Sequence, residues 1–133
     1  AVAVMVPQAD TAEEAARAVQ YARYYPEGQR GISPMWTKVA GVDWNEVIKT
    51  ANEETVLVVQ LESQQAYDNL DEIKQVPGID VILVGPLDLS ATVGTITDTG
   101  SKQVQEIMED VPRRLEGTGI ATGTTLMDPA EIQ

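Results

Sequence analysis

Histidine, cysteine and phenylalanine are all absent from this 133-residue chain. Without Cys there are no disulfides, no thiolate nucleophile and no thiolate metal site. Without His, any metal must be held by oxygen ligands, which points to Mg²⁺, Mn²⁺ or a similar hard ion. Proton transfer within the chain falls to carboxylates, Lys, Tyr, Arg-tuned groups or bound water. Aromatics make up only 5%, so the core must be built from Val, Ile, Leu, Ala and Met, which a 43% hydrophobic fraction allows. Basic residues are scarce too: nine Lys and Arg face 21 Asp and Glu, for a net charge of −12. Such a balance repels phosphate backbones and argues against a nucleic-acid partner. It serves solubility or, as a second reading, dispersal at high salt. No apolar stretch reaches membrane-spanning length, and no basic leader precedes a signal core. The expectation is a soluble, cytoplasmic protein with no membrane partner. Glycine fingerprints of the dinucleotide and P-loop types are missing, so nucleotide binding by those routes has no support.

What is present is a regular alternation. Four apolar, β-type runs occupy residues 1–7, 55–62, 79–85 and 120–126. The second and third are nearly continuous in Val, Ile and Leu, the pattern of strands buried on both faces of a parallel sheet. Between them lie helical patterns. "DTAEEAARAVQYARYY" begins with Thr11 and Glu14 at capping-box spacing and aligns Ala15, Val19 and Ala22. "DWNEVIKTANEE" follows Asp43 as N-cap, with Val47, Ile48 and Ala51 inward. "SQQAYDNLDEIKQ" reads as one helix with Ala66, Leu70 and Ile73 inward, stopped by Pro77 and Gly78. "SKQVQEIMEDVPRRLEG" aligns Val104, Ile107, Met108, Val111 and Leu115, with a kink or break expected at Pro112. The order is a βαβ series, which suits a doubly wound sheet or a (β/α)₈ barrel. Residues 26–42 form the longest irregular stretch. With Arg30, Trp36 and Lys38 on it, that stretch suits either a cover over a site or an ordinary surface loop. The chain opens on a strand without an initiator Met and closes on "MDPAEIQ", which reads as a first helical turn. The expectation is one partial domain over residues 1–133, a piece of a longer chain.

Two of the apolar runs end in a lone acid, Glu62 and Asp88. In parallel α/β folds the carboxyl ends of strands open into the crevice where chemistry happens. Adjacent strands lie about 4.8 Å apart, so two such carboxylates would repel unless one held a proton or a divalent cation lay between them. A metal pair is one reading; a helix cap at Asp88 or a solvated loop acid is the other. Gln60 alternates with Glu62 and points the same way. Its amide, in a Val-rich strand, needs a partner. The turn after Pro86 offers backbone N–H groups to a carboxylate.

"VMVPQADTAEEAARAVQYARYYPEGQRGI", "ANEETVLVVQLES", "NLDEIKQVPGIDVILVGPLDLSATVG" and "VQEI" resemble the HpcH/HpaI aldolase family. This family includes 4-hydroxy-2-oxoheptanedioate and 2-keto-3-deoxy-sugar-acid aldolases. The resemblance runs over nearly the whole chain, and "VQLE" joined to "GPLDLS" is its most specific part. It implies a (β/α)₈ TIM barrel, of which this chain covers roughly strands four to seven. It implies Glu62 and Asp88 as ligands of a divalent metal, Mg²⁺ or Mn²⁺ with Co²⁺ as a further option. Gln60 and the backbone around Leu87 and Asp88 would contact pyruvate. The implied reaction is reversible cleavage of a 4-hydroxy-2-oxo acid to pyruvate and an aldehyde through a metal-stabilised enolate. No Lys Schiff base is implied: Lys38, Lys49, Lys74 and Lys102 lie in loops or on helices. The family's catalytic His and substrate Arg have no counterpart here, and Arg30 matches a downstream loop position, so no catalytic residue is assigned within this chain. A homo-oligomer is expected. A citrate-lyase-β-like acyl-CoA lyase, which shares the two acids but usually differs in the turn before the Asp, is the nearest alternative. An inactive half-barrel is the other.

Overall fold

The Val-, Ile- and Leu-rich runs form four parallel strands, and the amphipathic segments between them form the helices that cover one face. A computed structural model describes residues 3–126. The elements are β1 (Ala3–Val6), α1 (Ala12–Ala22), α2 (Pro34–Val39), α3 (Trp44–Glu54), β2 (Val56–Leu61), α4 (Gln64–Asp68), α5 (Leu70–Ile73), β3 (Val81–Val84), α6 (Pro86–Thr92), α7 (Lys102–Leu115) and β4 (Ala121–Thr124). The first two residues of the expected first strand and the helical turn expected over residues 127–133 lie outside the described residues. Among the described residues no helix is long and apolar enough to cross a membrane.

All three strand pairings are parallel, in the order β1-β2-β3-β4. A doubly wound sheet reverses its strand order at a switch point. This sheet does not, so the sequential order is that of a barrel wall. Register sorts the two faces. Val59 and Leu61 pair with Ile82 and Val84, and all four join the core under the helices with Ala15, Ala66, Leu70, Leu89, Val104, Ile107 and Val111. The opposite face carries Met5, Val56, Val58, Gln60, Val81 and Leu83. In a closed barrel that face is the packed interior. Here it is open, with Met5 52% and Val56 36% exposed.

Helix starts follow the sequence closely. Ser63 caps α4 and Asp43 caps α3 through their side-chain oxygens. At α1 the Glu14 N–H donates to Thr11 Oγ1 (3.2 Å), but the Glu14 carboxylate accepts from Asp10 N (3.0 Å), one residue earlier than in a standard capping box.

Three expectations need correction. The segment after Ser63 is two short helices, because Asn69 leaves helical geometry (φ −89°, ψ 5°) and its amide donates to the Asp10 carbonyl oxygen at 2.8 Å. α7 runs unbroken through Pro112. Proline removes one N–H bond there, while the buried row Val104, Ile107, Val111 and Leu115 holds the helix on both sides. Residues 26–42 are not irregular throughout: they contain a helix, α2, and Arg30 lies by the amino end of β2, not at the strand ends that carry the acids. The Arg30 guanidinium lies 4.8 Å over the Tyr24 ring. Together with Glu54 and Thr55, Arg30 and Tyr24 line a cavity of about 400 Å³ where the chain enters β2, the far end of that strand from Glu62. Lys38 is exposed on α2, and the Trp36 side chain lies outside the described part of the structure.

At that same end Arg23, buried, donates to Asp80 Oδ2 at 3.1 Å, and the same oxygen accepts from Leu57 N at 2.7 Å. Arg23 Nη1 is buried without a partner among the described residues. Asp80 thus joins α1, β2 and β3. Asp80→Ala is expected to cost about 2–3 kcal/mol in urea unfolding, because it strands a buried cation and a backbone donor. Adding Arg23→Met should recover part of that loss.

Candidate metal site

The site is built at the carboxyl ends of β1, β2 and β3, on the open face. Glu62 is the first residue after β2 and only 7% exposed. Its Oε2 accepts from Gln8 N (3.2 Å), just beyond β1. Its Oε1 accepts from Gln60 Nε2 (2.9 Å), two residues back on the same strand face. The partner that the Gln60 amide needs is therefore Glu62 itself.

Gly85 makes room for this carboxylate. A Cβ placed on Gly85 would lie 2.8 Å from Glu62 Cγ and 2.9 Å from Oε1, closer than real contacts allow. The missing side chain between β3 and α6 is therefore a steric requirement of Glu62. Asp88 follows three residues later. It is not at a strand tip, as expected, but exposed in the first turn of α6. The reason is the Gly–Pro pair: β3 ends at Val84, Gly85 occupies the N-cap position, and Pro86 opens the helix where its fixed φ and missing N–H cost nothing. Asp88 forms no side-chain cap hydrogen bond, so the capping alternative does not hold. Leu87, exposed, is the second residue of α6. Its N–H and that of Asp88 belong to the first turn, where helical N–H groups lack intrahelical acceptors.

The electrostatics agree with this geometry. Burial pushes the Glu62 carboxyl above the ordinary 4.5, the Gln8 N–H pulls it down, and the charges of Asp88 and then Asp10 push it up again. Two further acids, Asp88 and Asp10, therefore act on Glu62. Only Glu62 and Asp88 were foreseen. Asp10, half-buried, accepts from Ser63 Oγ (2.6 Å). Gln8 and Asp10 gave no periodic or spacing signal; the one available hint was a carboxylate just past a strand.

Among the described residues no group of three or more Asp, Glu, His or Cys forms a ready-made metal cage. The donor set of two carboxylates suits a hard divalent ion whose other positions go to water and substrate oxygens. Neither Glu62 nor Asp88 is paired with a Lys or Arg among the described residues, and the Asp88 charge acts on Glu62, so the residues present fit such an ion.

The fold and this site define a parallel (β/α) barrel-type protein with an acidic carboxyl-end site. A family model described as HpcH/HpaI aldolase/citrate lyase matches residues 1–133. The chain belongs to that family. A 2-keto-3-deoxy-L-rhamnonate aldolase of Klebsiella pneumoniae is 41% identical over 130 residues, covering 96% of this chain and 48% of that protein. One from Salmonella paratyphi B is 40% identical, covering 98% of this chain and 49% of its own length. Among solved structures, an HpcH/HpaI aldolase from Desulfitobacterium hafniense superposes with a TM-score of 0.83 at 33% identity, covering 98% of this chain and 51% of that one. A family protein from Burkholderia cenocepacia gives 0.86 at 32% identity, with 98% and 52% covered. The chain thus spans about half the length of the curated relatives it matches.

Two outcomes are expected of this geometry. Gly85→Ala should destabilise the protein by about 1–3 kcal/mol through overpacking, and Glu62→Ala in the same chain should remove most of that penalty; denaturant unfolding of the double-mutant cycle checks it. The raised Glu62 value means that the folded protein holds this proton more tightly than the unfolded chain does. The stability tied to that proton is fully present below pH 4.5 and lost as pH rises through the folded value. Metal-free Glu62→Gln should therefore compare better with the parent protein at pH 7 than at about pH 5, measured by urea unfolding at both.

Proposed function

We propose that this chain, one partial (β/α) barrel domain over residues 1–133, carries the cation- and pyruvate-binding part of a metal-dependent, class II aldolase. The reaction is reversible carbon–carbon cleavage of a 4-hydroxy-2-oxo acid to pyruvate and an aldehyde. Relatives at about 40% identity bear the name 2-keto-3-deoxy-L-rhamnonate aldolase, which favours 2-keto-3-deoxy sugar acids as the substrate class. It also favours this reading over an acyl-CoA lyase. The single observation that carries it is Glu62: a buried carboxylate at a strand end, kept in place by two donors and a missing Cβ, within electrostatic reach of Asp88.

In this reading Glu62 and Asp88 hold one divalent cation, Mg²⁺ or Mn²⁺. When bound, the cation supplies Lewis-acid polarisation of a keto oxygen. Gln60 orients Glu62 and offers its remaining amide capacity to the 2-oxo acid. The first-turn N–H groups of Leu87 and Asp88 bind the substrate carboxylate, helped by the positive end of the helix. The chain has no His, and none of its Lys residues sits at this site. The acid–base groups that complete turnover are thus expected from the part of the family fold to which this chain has no counterpart. The assembled enzyme is expected to be a cytoplasmic homo-oligomer that binds neither nucleic acid nor membrane.

Titration with Mn²⁺ or Mg²⁺, with and without pyruvate, tests the reading. Glu62→Gln and Asp88→Asn should each weaken Mn²⁺ binding by about a hundredfold or more, at or beyond the upper end of the loss typical of groups that only support a ligand. Each should also abolish the enhancement of pyruvate binding by metal. Unchanged binding in both variants removes the proposal.

A further inference from the structure

Asp10 stands outside the pair that would hold the cation, yet it is tied to the side chains of two residues that follow Glu62, Ser63 and Asn69. Its Oδ1 accepts from Ser63 Oγ at 2.6 Å, and Ser63 is the residue immediately after Glu62. The same Ser63 oxygen accepts from Ala66 N at 2.9 Å, so one hydroxyl both caps α4 and holds Asp10. The Asp10 carbonyl oxygen accepts from Asn69 Nδ2 at 2.8 Å, the contact that accompanies the break between α4 and α5. Two residues before Asp10, Gln8 adopts φ 51°, a left-handed conformation that a side chain disfavours and that persists only where its surroundings enforce it. That strained turn keeps Gln8 N at 3.2 Å from Glu62 Oε2.

We propose that Asp10 is a positioning residue for Glu62: its contacts with Ser63 and Asn69 lock the turn after β1, and the locked turn presents the Gln8 N–H that fixes one oxygen of the Glu62 carboxylate. With Gln60 on the other oxygen, the carboxylate is held at both ends before any ligand arrives. Releasing Asp10 frees the turn to relax out of its strained conformation, and Glu62 loses one of its two donors. The lock is a geometric claim. Its purpose, preorganising a cation ligand, rests on the aldolase reading above.

Four variants test it: Asp10→Asn, Asp10→Ala, Ser63→Ala and the Asp10→Ala/Ser63→Ala double variant. Free Mn²⁺ is followed by EPR during titration, and the Gln8 backbone amide by two-dimensional NMR without metal. Asp10→Ala and Ser63→Ala are each expected to weaken Mn²⁺ binding about tenfold, as loss of a group supporting a ligand does. The double variant should lose no more than Ser63→Ala alone, because that change already breaks the Asp10 link along with the α4 cap. The Gln8 amide resonance should move in all three. Asp10→Asn keeps the Oδ1 acceptor and should stay within about threefold of the parent protein, since only a screened charge is lost. Additive losses in the double variant, or an unmoved Gln8 amide in Asp10→Ala, overturn the lock. A lower melting temperature with unchanged Mn²⁺ affinity and an unmoved amide makes Asp10 merely structural and overturns it as well. Failure of the aldolase reading has a different signature: Mn²⁺ binding is then indifferent to Glu62→Gln, and the Gln8 amide alone decides the lock.

Discussion

A carboxylate that is almost fully buried beside two further acids is the constraint on which the rest of this molecule turns. Burying an ionised group without a partner is expensive, and a protein answers by pairing it, hydrogen-bonding it or leaving it protonated. Glu62 shows part of each answer. Gln8 and Gln60 donate to its two oxygens, and its proton affinity is raised. Neither donor is charged, so the repulsion from Asp88 and Asp10 stays uncompensated by this chain alone. A proton on Glu62 relieves it in part, and a bound cation, as in the proposed function, would relieve it further. The glycine after β3, the helix that opens on Pro86 and the turn at Gln8 can all be understood as the frame around that one side chain.

The frame is half of an architecture. The helices seal one face of a sequential parallel sheet, while the other face stays open and exposes Met5 and Val56. The relatives are about twice as long as the region matched, and in the barrel fold of this family such a face is interior. The acids sit at the carboxyl ends of the strands, where barrels place their chemistry. Stability and site thus lie at opposite ends of the same strands: Asp80 and Arg23 fasten the amino ends, and Glu62, Asp88 and Asp10 occupy the carboxyl ends.

Much of this was legible in the residues. The valine-rich runs announced buried parallel strands because a strand covered on both faces has no polar alternation. Helix faces followed from Ala15, Ala66, Leu70, Val104 and Val111, all of which are buried. That Gln60 and Glu62 point the same way could be read because strand periodicity fixes their direction, and the hydrogen bond between them agrees. What escaped reading depended on contacts between distant segments. The helix after Ser63 breaks because Asn69 reaches Asp10, 59 positions away, and no local propensity records that. Pro112 carried the opposite error: a local breaker was overruled by a buried row on both sides of it. Asp88 moved from strand to helix because Pro86 is as good a helix opener as it is a turn residue. Gln8 concealed itself because a left-handed turn is usually announced by Gly or Asn, and Asp10 because its value lies in Ser63, a tertiary neighbour.

The proposed function stands on one divalent cation shared by Glu62 and Asp88. A crystal structure grown with Mn²⁺, analysed for anomalous scattering, tests it directly. A shared cation gives a single strong peak within coordination distance, about 2.1 Å, of an oxygen from each of the two side chains. A peak touching only one of them, or none at the carboxyl ends of the strands, would contradict it.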